Sequence, residues 1–71
     1  MKKIFYERVA SLTGQDATNL EQLALGELIQ EIILPKICFK DPQYISEDFV
    51  MFMAEFGQDI YEQNKFHGEA L

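Results

Sequence analysis

Residues 46–66 read SEDFVMFMAEFGQDIYEQNKF, and their local chemistry specifies a helix from end to end. Ser46 is placed as an N-cap, its hydroxyl able to accept one of the free backbone N–H groups of the first turn. Ile45 before it and Val50 after it have the spacing of a hydrophobic staple. Glu47 and Asp48 set negative charge at the end where the helix dipole favours it. At the other end Lys65 and His67 suit the opposite pole, and Gly68 supplies a stop. A helix over 47–66 would measure about 30 Å.

Helical periodicity divides this segment into faces. Phe49, Met53, Phe56 and Ile60 recur at i, i+4, i+7 and i+11 and form one narrow apolar arc, the expected core face. Phe52 flanks the arc on one side, and Val50 with Tyr61 on the other. Asp48, Glu55, Asp59 and Glu62 align on what the wheel gives as the opposite side, with Met51 beside them. Lys65 is the only lysine or arginine in 47–66, so the row has no basic i+4 partner within the helix. The plain reading of the row is a solvated face. The sharper one makes Asp48, Met51, Phe52, Glu55, Asp59 and Glu62 a partner-binding face, since aligned like charges cost stability and suit a basic surface.

Upstream, Phe5, Val9 and Leu12 recur at spacings of four and three, and Gly14 stands where a left-handed cap is wanted. These features predict a helix over 3–13. A strand over residues 2–6 is the competitor, because Ile4, Phe5 and Tyr6 favour one. Thr18 and Glu21 fit a capping box that would open a second helix over 19–34. That helix carries Leu20, Leu23, Ala24, Leu25, Leu28, Ile29, Ile32 and Ile33, apolar on nearly every side. It is therefore either central or half turned toward another chain. Pro35 should end or kink it. PKICFK (35–40) then reads as an extended connector with Ile37 and Phe39 turned inward, followed by a turn at Asp41-Pro42. Gly26 and Gly57 lie inside predicted helices, either tolerated or marking close helix approach. The expected fold is all-α: a single domain over 1–71, a small three-helix bundle with helices at about 3–13, 19–34 and 47–66. A homodimer through the second helix is a second route to stability.

Composition narrows the function classes. A chain of 71 residues buries only about 60% of the surface that its unfolded form exposes. Its 48% apolar content, with six phenylalanines, still permits a core. Twelve acids against six bases leave a net charge of −6, which works against direct nucleic-acid binding. The charge is polarised: Lys2, Lys3 and Arg8 lie near the start, whereas Glu47, Asp48, Glu55, Asp59, Glu62 and Glu69 face only Lys65 after residue 46. Cys38 is the only cysteine, so no disulfide framework can form within the chain. Glu7 and Arg8 interrupt what would be the apolar part of a signal peptide. The run LIQEIIL (28–34) is too short to span a bilayer and carries Glu31. No membrane association and a cytoplasmic location are the default expectations.

No catalytic, cofactor-binding or metal-binding residues are expected. Cys38 and His67 are separated by a whole helix and have no evident third group to orient them. Cys38 is expected as a small buried hydrophobe, and one Cys with one His makes no zinc site. Glycines are not grouped to cradle a phosphate, and the carboxylates lack EF-hand spacing. The chain is expected to be no enzyme but a small acidic protein-binding module, a regulator, inhibitor or adaptor covering a basic surface of a larger protein. It is similar in size and charge to short accessory proteins of bacteria and their phages, a likeness of general character only. One alternative is a nucleic-acid mimic blocking a DNA- or RNA-binding enzyme. However, phosphates of duplex DNA recur at about one charge per 1.7 Å, far denser than four acids over about 21 Å of helix. The other alternative is a homo-oligomeric structural or assembly component.

Overall fold

A computed structural model describes the backbone of residues 1–68 and the side chains of residues 1–63. The fold is all-α. Helix α1 (Lys3–Thr13) is followed by two single-turn helices, α2 (Ala17–Leu20) and α3 (Leu25–Leu28). A π-helix, π1 (Ile29–Cys38), continues directly from α3, and a short loop leads into the long helix α4 (Glu47–Gly68). α1 and α4 match the helices read from the sequence, with α4 continuous through Gly57. Residues 2–6 are not a strand.

Local chemistry explains the ends of these helices. α1 stops at Gly14, whose φ of 72° is left-handed, and the Gly14 N–H donates to the Ala10 carbonyl at 2.8 Å. Only glycine takes that conformation at little cost. Ser46 caps α4: its hydroxyl accepts the Phe49 N–H at 3.1 Å and itself donates to the Ile37 carbonyl. The Ser46 N–H adds a bond to the Cys38 carbonyl at 3.0 Å. One serine thus starts the last helix and ties it to the end of π1.

Between α1 and α4 the chain departs from the expected helix over 19–34. Asp16, not Thr18, is the N-cap, its carboxylate accepting the Thr18 N–H at 2.9 Å. The coil unwinds after Leu20 and resumes only after Ala24, whose ψ of 151° is extended. Burial overrides helix propensity here: a straight helix apolar on all sides cannot press every side into so small a core. The bend lets Leu20 and Leu28 both become fully buried. Pro35 neither ends the helix nor begins an extended connector, but sits inside π1. In an α-helix its ring would clash with the carbonyl of residue 31; hydrogen bonds reaching back five residues, such as Phe39 N–H to Leu34 O at 2.7 Å, open the turn there. The buried positions follow the wider turn: Leu28, Ile33 and Ile37 recur at five and four, with Cys38 also buried. Phe39, expected inward, is instead 46% exposed.

The core consists of Phe5, Val9, Leu20, Leu28, Ile33, Ile37, Phe52, Phe56 and Ile60. Phe5, Phe52 and Phe56 form a triangle of rings with centroids 5.2–5.6 Å apart. Phe5 also meets the Tyr6 ring edge-on at 5.2 Å. Tilted and edge-to-face rings at these distances attract beyond the area that they bury. Neither internal glycine marks a close approach of helices. A Cβ at Gly26 would meet open space, and one at Gly57 would meet only Met53 of its own helix. Lys65 and His67, expected at the helix end, and Phe66 lie outside the residues whose side chains are described.

Candidate functional site

Three side chains fix how α4 is turned. Phe52, Phe56 and Ile60, at i, i+4 and i+8, are its buried residues among those whose side chains are described, while Phe49 and Met53 are only half-buried. The buried face is therefore centred near Phe56 and rotated toward Phe52, because Phe52 completes the ring triangle with Phe5. At about 100° per residue, Asp48, Glu55 and Asp59 then lie within about 60–100° of the centre of the buried face. They occupy its shoulder, not the opposite side. Phe52, at 1% exposure, is a core residue and no part of an accessible partner-binding face.

The shoulder position brings the acid row within reach of cations from other elements. Arg8 of α1 forms a two-pronged ion pair with Glu55, and its guanidinium carbon also stands 5.6 Å from the Phe56 ring centroid. Lys40, in the loop before α4, pairs with Asp48. Glu62 accepts a hydrogen bond from Gln58 at 3.2 Å, and Asp59 is half-buried. Two of the four aligned acids are thus engaged inside the fold, by bases invisible to a reading of one helix. Both pairs are partly solvated, with side chains 40–45% exposed, so each contributes about 1 kcal/mol or less.

Large apolar side chains are exposed elsewhere. Seven are prominent: Ile4, Phe39, Tyr44, Ile45, Val50, Met51 and Tyr61. Five of them fall between Phe39 and Met51, so the exposure is concentrated where π1 hands over to α4. The loop is drawn shut at its neck by the Ser46 bonds to Ile37 and Cys38. At its tip the Asp41 carboxylate accepts the Gln43 N–H at 2.9 Å, and the Asp41 carbonyl accepts the Tyr44 N–H at 3.2 Å. So tight a loop turns Phe39, Tyr44 and Ile45 outward. Ile45 and Val50, expected to cover one another as a staple, are 60% and 59% exposed.

Of the residues expected at the partner-binding face, Met51 is 70% exposed. The outward face of α4, opposite Phe56, carries Glu47, Val50, Met51, Ala54, Gln58 and Tyr61, all exposed. Sequence reasoning missed Phe39, Tyr44, Ile45, Val50 and Tyr61 as surface groups. The available signal was three large apolar residues, Phe39, Tyr44 and Ile45, crowded around Asp41-Pro42, a turn too short to fold them all inward. Among the described residues no group of three His, Cys, Asp or Glu side chains is arranged to hold a metal ion. No helix among them is long and apolar enough to cross a membrane. Compared with known family models, curated proteins and solved structures, the chain matches none.

Proposed function

We propose that this chain is a small acidic protein-binding module, a regulator, inhibitor or adaptor that works by covering a surface of a larger protein. The observation that carries the reading is the concentration of exposed apolar side chains at one corner: Phe39, Tyr44, Ile45, Val50 and Met51. Large apolar side chains exposed this close together along the chain are unfavourable in water, and such exposure characterises interaction sites. The corner adjoins the acidic side of α4, and charge beside an apolar patch contributes orientation and partner choice. The working surface is therefore the corner together with Glu47 and Glu62, and not the whole row from Asp48 to Glu62.

Neither alternative gains a comparable observation. A nucleic-acid mimic needs carboxylates free to imitate phosphates, yet Glu55 and Asp48 are occupied by Arg8 and Lys40. A homodimer through residues 19–34 has less apolar surface to use, because Leu20, Leu28 and Ile33 are buried in this chain's own core and Leu23, Leu25, Ile29 and Ile32 are partly buried against it.

The test is affinity capture from a lysate of the source cells, with the wild-type chain and a Tyr44→Ser/Met51→Ser variant side by side. Both replaced side chains are largely solvated, so the melting temperature should hold. Loss of a specific captured protein by at least tenfold is expected. Equal capture by both chains would refute the assignment of the corner.

A further inference from the structure

We infer that the partner presents a basic amphipathic α-helix, laid along the outward face of α4. The inference rests on the protein-binding reading above and specifies the partner's chemistry and shape. Shape comes first. On the outward face the exposed Ala54 lies between Val50 and Met51 one turn before it and Tyr61 two turns after it. A small residue between large ones makes a notch in the ridge, and ridges entering such grooves are how helices pack together. Val50 to Tyr61 spans about 16 Å at 1.5 Å per residue, or three turns of a docked helix. The described residues offer no strand edge for an extended peptide to join; the only β-type pairing among them is the isolated bridge between Asp41 and Tyr44.

Charge fixes the rest. Residues 41–63 contain Asp41, Glu47, Asp48, Glu55, Asp59 and Glu62, and no lysine, arginine or histidine. Arg8 and Lys40 answer Glu55 and Asp48. Glu47 and Glu62 remain exposed toward the two ends of the apolar stripe. A helix with leucine-like residues along one side and lysine or arginine at its margins satisfies both features together. A second copy of this chain does not: it would set the same acids against each other across the contact, with each chain carrying −6.

The probe is a fluorescein-labelled 18-residue peptide with Leu at i, i+3, i+4 and i+7 spacing and Lys elsewhere, titrated with the intact chain by anisotropy. Two controls accompany it: a scramble of the same composition that disperses Leu around the helix, and a version with Glu in place of Lys. The amphipathic Lys peptide should bind at least tenfold tighter than the scramble, and the Glu peptide should not bind. Ala54→Trp, filling the notch at an exposed position, should weaken binding at least tenfold with the melting temperature unchanged. Glu47→Gln with Glu62→Gln should flatten the salt dependence. Equal binding of the scramble, or full binding by Ala54→Trp, would overturn the inference. So would silence from every peptide while the wild-type chain still captures a partner that the Tyr44→Ser/Met51→Ser variant loses; equal capture by both chains would instead sink the reading beneath.

Discussion

Phe5 is fully buried and touches the rings of Tyr6, Phe52 and Phe56. Its truncation leaves a cavity that a chain this small has little material to refill. Phe5→Ala should cost about 3–5 kcal/mol, much of the stability of about 4–10 kcal/mol ordinary for 71 residues. Urea titration followed by circular dichroism should find its midpoint collapsed toward zero denaturant. Arg8 beside Phe56 and Glu55 supports a finer prediction. Glu55→Lys should lower stability by about 1 kcal/mol or less by opposing Arg8, whereas Glu62→Lys, which faces no described base, should leave the melting curve in place. Phe5 and Val9 were legible as core residues because their spacing is local. The burial of Phe52 was not, since the wheel of one helix says nothing of the ring that α1 sets beside it. Arg8 and Lys40, at sequence distances of 47 and eight from their acids, were hidden for the same reason.

Among the elements, α1 and α4 owe their positions to signals carried within a few residues: Gly14 in the left-handed region at one, Ser46 at the other. Ser46→Ala should cost about 1–2 kcal/mol, since the hydroxyl also holds the end of π1 through the Ile37 carbonyl. Gly57→Ala should act in the other direction. The added Cβ would meet only Met53, its flexible Cε end at 3.4 Å and its Cβ at 3.9 Å, so the helix should gain about 1 kcal/mol. Chemical denaturation of the two variants measures both effects. The stretch from Ala17 to Cys38 resisted sequence reading because residues apolar on every side contain no period from which to choose a face. Neighbours then decided: α1 and α4 drew Leu20, Leu28, Ile33 and Ile37 inward, which requires a bend at residues 21–24 and a wider turn around Pro35.

At the scale of the whole molecule, α4 is anchored along its Phe52–Phe56–Ile60 side and pinned at two points by Arg8 and Lys40. Its outer side and the loop before it are left solvated. The acidity of this half was legible in the sequence. The apolar corner was not, because Phe39 and Ile45 have the composition of core residues and only the closed loop turns them out. The proposed working surface joins this corner to the outward face of α4. Tyr44, Met51 and Tyr61, at 67%, 70% and 62% exposure, are readily oxidised side chains, so hydroxyl-radical footprinting of the chain, free and bound to its captured partner, reads that surface out. Several-fold protection of Tyr44, Met51 and Tyr61, with Ile4 on α1 unchanged, is the predicted result; oxidation of Met51 at its free rate, with protection falling on residues 17–38 instead, would contradict it.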